Sequence, residues 1–596
     1  MQSIERWNRL LPLHLLLLTT LQTCRVCSAR GYHRMSIAVN SSTVNPHLWY
    51  RQPPPVLPSW YTPTSNFRNY KVFHLIFLRQ LDVRCNDGTR AGYYIRRSKN
   101  TNSRKWMIYL EGGWYCFDEA TCISRQITNH ALFSSRTWHI NRYIGGVLSW
   151  DERINPNYHD YNTIFVPYCS SDLWSGKKSE PTGGYYFHGS RILTAVVDDL
   201  LQRPEFSQAE KVVFVGSSAG GIGVMLNIDR LARRIRRGLR YRRWQLTRRI
   251  ATNIQISGLV DSAWFLNYPT YAQPFSSSCT SIYDCPPEEG ILRGIGLWQP
   301  RIPRRCRVAQ GKKNFWQCYL GPVIYSYIQT PIFIIQSLFD EAQLQMSRAL
   351  LLTGGPYNKL AYIQNLGKAV AKSLDTVRGV FAPACSDHEI LTTNHWAQLM
   401  VNSQSLQDTL NAWDAHLTRW RRYPQWYLNL RQPPASHSRQ DSRSQRPQQN
   451  SNSSMIFLSK LVAVLNRPKT DTTAMRGGRH YVTQRTQRDL SHPPAFVFRA
   501  IDRCSLDAGP DDFGDVRSRE KLAAACMGRS HITPLCNPSC RALIHPRTME
   551  KLTVVSLYEL YGVDSAQLAA NIGVSVSRLK ALPVKEQMRM MFCRRL

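Results

Sequence analysis

Acidic side chains are scarce in this 596-residue chain: 40 Asp and Glu stand against 76 Lys and Arg, a formal charge of +36. Such an excess argues against a basic partner and calls for an acidic one, unless the charge serves only solubility. Long apolar runs are equally scarce. Outside Leu10-Leu-Pro-Leu-His-Leu-Leu-Leu-Leu18 no segment is apolar for long enough to anchor the chain in a bilayer, and that run is too short and too interrupted to span one. No internal repeat is apparent, so the length is read as one elaborated domain with tails.

Residues 1–29, with Arg6 and Arg9 ahead of the apolar run and small Ser28 and Ala29 after it, read as a cleaved signal peptide. The protein is therefore expected to be secreted and extracellular. Cysteine usage agrees: setting aside Cys24 and Cys27 leaves 14 of the 16, an even number. The close pairs Cys116/Cys122, Cys279/Cys285 and Cys306/Cys318 predict local disulfides. Cys536-Asn-Pro-Ser-Cys540 has the look of a zinc pair, but an oxidising compartment favours disulfides over metal binding. Asn40 and Asn452 open glycosylation sequons, whereas Asn537-Pro-Ser is blocked by its proline. Secretion makes nucleic acid an unsuitable partner and points the cationic surplus toward sulfated polysaccharides such as heparan sulfate. The basic runs are Arg233 to Arg243 with Arg248 and Arg249, and Arg419-Trp-Arg-Arg422. The plainer reading of both is a solvated helix face.

Residues 30–66, with Pro53-Pro-Pro55, read as an extended arm, and 67–429 as the catalytic domain. Within it, strand patterns at Met107–Leu110, Thr163–Pro167, Lys211–Val215, Asn253–Ser257 and Pro331–Gln336 alternate with helical ones such as Arg191–Leu201. This predicts an α/β fold, an α/β-hydrolase-like sheet with helices on both faces. Residues 430–492 are polar, low in complexity and expected to be disordered. Residues 493–596 form a cysteine-containing C-terminal extension with helical patterns at Val554–Tyr561 and Ser565–Ile572.

The chemistry gathers around Gly216-Ser-Ser-Ala-Gly220, a G-x-S-x-G pattern fed by an apolar strand and followed by a helical run. A nucleophile elbow needs that context, because its sharp turn brings neighbouring backbone too close for side chains. The frame selects Ser218, since Ser217 would need a glycine where Val215 stands. Order along the chain then supplies partners. Asp340 follows the second strand after the elbow; Asp261, after the first, is the alternative, and Glu341 is disfavoured by its one-residue shift. For the base, His388 lies on a loop beside Cys385, and His395 is the alternative, placed inside a helix. Oxyanion donors are expected from the backbone of Ala219 and from Gly113 and Trp114, in Glu111-Gly-Gly-Trp-Tyr115 after a buried strand. No metal or organic cofactor is called for.

Eight blocks in order extend the pattern: Cys85-Asn-Asp-Gly88, Leu110-Glu-Gly-Gly-Trp-Tyr-Cys-Phe117, Val166-Pro-Tyr-Cys-Ser-Ser-Asp-Leu-Trp-Ser-Gly176, Gly216-Ser-Ser-Ala-Gly-Gly221, Phe339-Asp-Glu-Ala-Gln-Leu344, Tyr362-Ile-Gln-Asn-Leu-Gly367, Phe381-Ala-Pro-Ala-Cys385 with His388, and Cys536-Asn-Pro-Ser-Cys540. Together they resemble the Notum family of secreted carboxylesterases, within the wider pectin-acetylesterase-like group. The resemblance implies the trio Ser218, Asp340 and His388 and, as substrate, the palmitoleate ester on a serine of a Wnt protein. It also implies an acyl pocket of Trp114, Tyr115, Phe265, Pro287, Ile291, Ala342 and Met346, with Tyr319 and Leu320 where the family has two phenylalanines. Ala412 stands where a family cysteine is expected and another is missing before Phe496, so Cys526 and Cys593 are expected to carry a relocated disulfide. Two other readings stay open: a polysaccharide O-acetylesterase, and a heparan-sulfate-binding protein without activity.

Overall fold

The structure is a computed structural model that describes residues 70–247, 254–271, 279, 281–282, 285–349, 359–420, 498–502, 537, 539–541, 553–560, 563–583, 586–587 and 590. The leader, the arm, both sequons, the 430–492 insert, and Cys526 and Cys593 lie outside them, as do Arg248, Arg249, Arg421 and Arg422. Ten strands form one sheet: β1 Phe73–Phe77, β2 Gly92–Arg96, β3 Lys105–Leu110, β4 Asn141–Arg142, β5 Asn162–Val166, β6 Lys211–Ser217, β7 Gln255–Asp261, β8 Ile332–Ile335, β9 Gly379–Ala382 and β10 Phe498–Ile501. Their order is β10-β9-β8-β7-β6-β3-β5-β2-β1-β4. From β5 to β10 the neighbours run parallel, while β2, β1 and β4 add an antiparallel flank.

The five strands read from sequence are all present, with edges shifted by up to four residues. Each is buried on both faces, as parallel strands beneath helices must be. Side chains alternate between two cores. Trp106, Ile108 and Leu110 of β3 face one, Met107 and Tyr109 the other; Val212 and Phe214 of β6 divide from Val213 and Val215 in the same way. The first core is covered by α2 (Gly189–Gln202) and α3 (Ala219–Thr247), after α1 (Glu119–Thr128) in the chain. On α3, Val224, Ile228, Leu231, Ile235 and Leu239 make one apolar stripe against the sheet. Next come α4 (Pro287–Trp298), α5 (Glu341–Met346), α6 (Lys359–Ser373) and α7 (Leu406–Trp420). Leu406, Leu410 and Trp413 of α7 cover the second core, so helices lie on both faces. Three short helices follow the last strand: α8 Val554–Leu560, α9 Ser565–Ile572 and α10 Val576–Ala581.

The three local disulfides are formed, Cys116–Cys122, Cys279–Cys285 and Cys306–Cys318, together with the longer Cys85–Cys169 and Cys385–Cys540. Cys540 is thus tied to the segment after β9 and is no zinc ligand. The C-terminal region also contributes β10 to the sheet edge. One expectation fails: His395 does not lie inside a helix but precedes a short 3-10 turn, Trp396–Gln398.

Candidate active site

β6 is buried up to Ser217, and the chain then reverses at Ser218 with φ of 54° before α3 starts at Ala219. A non-glycine residue held in that region is strained, and such strain collects at working sites. Close approach dictates the flanking glycines. A Cβ on Gly216 would overlap the Gly220 carbonyl, and one on Gly220 would overlap the carbonyl oxygen of Leu110 at the end of β3. The turn is pinned by the Ser218 N–H, which donates to the Asp261 carbonyl at 2.9 Å.

Asp340 ends the loop after β8 and caps α5, accepting the Gln343 N–H at 3.1 Å. Its two carboxylate oxygens lie 3.0 and 2.9 Å from His388 Nδ1. Burial disfavours a charged imidazole there, yet the Asp340 carboxylate, with Glu389 and Asp261 behind it, outweighs burial and raises His388 to about 9. Such a pair fixes the ring tautomer and leaves Nε2 as a proton acceptor. The His388 ring is 6.3 Å, between centroids, from Phe265. Asp261, the alternative acid, does not meet His388. Its carboxylate accepts from Ser217 Oγ at 2.6 Å, Ser262 Oγ at 3.0 Å and the N–H groups of Ile390 and Leu391 at 3.1 and 3.0 Å. One buried carboxylate thereby joins the elbow to the loop that carries His388. Burial raises it to about 6.

The segment after β3 turns through Gly113 and Trp114 with φ of 129° and 53°. Ala219 opens α3, so its N–H belongs to the first-turn amides that lack an intrahelical acceptor. Beside these groups runs an apolar slot lined by Ser218, Ala219 and all nine side chains named for the acyl pocket: Trp114, Tyr115, Phe265, Pro287, Ile291, Tyr319, Leu320, Ala342 and Met346. Leu173 and Ile222 also line it and were not anticipated. Leu173 gets there through a strained loop in which Ser171, Leu173 and Trp174 all have positive φ. That loop is organised by buried Asp172, which accepts Ser170 Oγ at 2.7 Å and the Gly176 and Gly189 N–H groups at 3.0 and 2.8 Å. The Tyr319 hydroxyl meets Ser175 Oγ at 2.8 Å, and Ser175 in turn donates to the Asp172 carbonyl. Tyr319 is thus a fixed wall of the slot, with its hydroxyl satisfied by Ser175. Among the described residues the grouping with metal-ligand spacing is Cys279, Cys285 and Glu289, whose two sulfurs are already bonded to each other.

Residues 67–425 match the pectinacetylesterase family. The palmitoleoyl-protein carboxylesterase NOTUM of Schmidtea mediterranea is 42% identical over 527 residues, covering 88% of this chain and 90% of that protein. The human palmitoleoyl-protein carboxylesterase NOTUM is 41% identical over 58% of this chain and 66% of its own length. Among solved structures, the Wnt deacylase Notum from Drosophila superposes with a TM-score of 0.51 at 34% identity, over 58% of this chain and 94% of that one. With its sheet, elbow and slot arranged as described, the chain belongs to the pectinacetylesterase family, on the branch that carries the Notum name.

Proposed function

We propose that the protein is a secreted serine carboxylesterase that removes palmitoleate from a serine of Wnt proteins and so silences the signal. The observation that carries this reading is the apolar slot that ends at Ser218. Burying an acyl chain contributes roughly 0.8 kcal/mol per methylene, and such a wall suits a long chain and offers an acetyl group nothing extra, which disfavours the polysaccharide O-acetylesterase. His388 takes the Ser218 proton as Oγ attacks the ester carbonyl, with Asp340 holding the imidazole in place. The oxyanion is met by the amides of Ala219, Gly113 and Trp114. Collapse of the tetrahedral adduct passes the proton to the departing serine oxygen and leaves an acyl-enzyme. Water, deprotonated by His388, then releases the fatty acid and restores Ser218. The names of the relatives, palmitoleoyl-protein carboxylesterase and Wnt deacylase, agree with this substrate.

The test is hydrolysis of acetyl-, octanoyl- and palmitoleoyl-serine peptides by the secreted enzyme and by Ser218→Ala. Turnover that rises with chain length and vanishes in Ser218→Ala is expected. Retained activity in that variant, or preference for acetyl, overturns the reading. Heparan sulfate is the partner we assign to α3, where Arg233, Arg237 and Arg240 are exposed on one helix face. Replacing the three by Ser should lower the salt needed to elute the protein from heparin; unchanged elution would remove that partner. Among the described residues no helix is long and apolar enough to cross a membrane.

A further inference from the structure

The wall formed by residues 111–115 has two sides. Trp114 and Tyr115 face the acyl slot, whereas Glu111, Gly112 and Gly113 face a second cavity of about 330 Å³, lined also by Tyr109, Arg142 and Glu389. The two spaces share no lining residue. Gly112 brings the second cavity close to the nucleophile: a Cβ there would collide with Glu389 Oε1 and lie 2.8 Å from the Ser217 carbonyl oxygen and 3.0 Å from Ser218 Cβ. An ester has an acyl end and an alcohol end. With the slot taking the first, the space across the oxyanion segment is placed for the second.

The charges inside this cavity are unevenly matched. Glu111 accepts the Tyr168 N–H at 2.8 Å and feels the Arg142 and Arg125 guanidinium groups. Arg142 also lies over the rings of Tyr94 and Phe165, 5.5 and 5.1 Å from their centroids. Glu389 is different. Its N–H donates to Ser262 Oγ at 2.9 Å and its carbonyl accepts from Thr392 Oγ1 at 2.7 Å, but its carboxyl accepts no hydrogen bond among the described residues. The cation that acts on it is His388, whose Nδ1 is held by Asp340. Burial, helped by the neighbouring Asp261, Glu111 and Asp340 and opposed by His388, lifts the Glu389 carboxyl to about 7, the behaviour of a buried acid whose surroundings do not fully balance its charge. The backbone at Glu389 is held at φ of 61°, a cost for a non-glycine residue that keeps successive side chains on separate tasks. His388 turns to Asp340 and Glu389 to Gly112.

We propose that this cavity is the leaving-group subsite, and that it takes a lysine or arginine side chain flanking the acylated serine, with Glu389 as its counter-charge. The inference rests on the esterase reading above and adds the polypeptide side of the substrate. A chain with a surplus of 36 positive charges repels basic segments over most of its surface. An acid-lined cavity beside the reacting serine reverses that preference at the one place where it affects turnover. An entering cation would also favour the ionised form of Glu389, giving a desolvated, charge-assisted pair.

The experiment compares octanoyl-serine peptides that differ at one flanking position, Lys, norleucine or Glu, using the full-length enzyme and Glu389→Gln. In the wild type, kcat/KM should be about tenfold higher for Lys than for norleucine, mainly through KM, with Glu poorest. In Glu389→Gln the Lys-to-norleucine ratio should fall to near one. Because the ratio is taken within each enzyme, any change in intrinsic reactivity cancels. Equal hydrolysis of the three peptides by the wild type overturns the subsite, as does a ratio that survives in Glu389→Gln. Should none of the peptides be hydrolysed, it is the esterase reading itself that fails, so the two outcomes are distinct.

Discussion

The Asp261 carboxylate gathers two serine hydroxyls and two backbone amides, while its own carbonyl holds the Ser218 N–H. Asn in its place keeps the volume but loses one acceptor and turns an NH2 group toward donors. Asp261→Asn should lower stability by about 1–3 kcal/mol and kcat by at least about tenfold, because a small displacement of the elbow from the His388 loop spoils a near-attack geometry. Ser217→Ala, which removes one hydrogen bond, should be milder. Denaturant midpoints and steady-state kinetics on a short-chain ester check both; a normal kcat in Asp261→Asn would mean the loop is held without it. The neighbouring base predicts a pH dependence. As the proposed base, His388 must be neutral to accept a proton, and with its pKa raised to about 9, kcat/KM should climb as pH rises from 7 toward 9. Asp340→Asn removes the charge that raises it, so the rising limb moves to lower pH while kcat drops roughly 10³–10⁴-fold.

The crossing of β3 with the start of α3 is an unforgiving contact between elements. Gly220→Ala would drive a methyl group into the backbone of Leu110, and that backbone cannot yield without opening the sheet. Loss of folded protein is the expected outcome, measured by yield and melting. Gly296→Ala in α4 meets nothing within 4 Å and should instead stabilise by about 0.5–1 kcal/mol. The same contrast explains what sequence could reveal. The strand, turn and helix around Ser218 are legible because glycine spacing and an apolar run are local signals. The loops carrying Asp340 and His388 could be ranked only by chain order, and the structure brings those two side chains together. β1 and β2 were missed because an antiparallel flank mixes polar and apolar residues. β10 was missed because it follows a long polar insert, and its neighbour Asp502 accepts the Ala384 N–H from 118 residues away. No local pattern could announce that contact or the Cys385–Cys540 bond, whose ends are 155 positions apart. Glu389 escaped notice because an acid beside a histidine is commonplace and the sign of φ is invisible in a sequence.

Over the whole molecule, buried acids give stability an unusual slope with pH. Asp172, Asp261 and Asp387 are raised to about 6 and Glu389 to about 7, in each case chiefly by burial. The folded state therefore binds these protons more tightly than the unfolded chain, whose carboxyls titrate near 4. Stability from such groups is fully present below the unfolded value and is lost as pH rises through the folded one. His388, raised to about 9, adds the same sign between about 6.5 and 9. Repulsion within the cationic surface pulls the other way, since raising pH discharges histidines. At 0.15 M salt, however, the screening length is about 8 Å, which damps that spread-out repulsion far more than it damps buried sites. The melting temperature should therefore fall, by on the order of a few degrees, between pH 5 and pH 9 at this ionic strength. Asp261→Asn removes one of the titrating acids, so the part of the slope between pH 4 and 6 should be shallower in that variant whatever its absolute stability. A melting temperature that instead climbs from pH 5 to 8, and does so less steeply in added salt, would mean that the surface surplus rather than the buried carboxyls governs this protein.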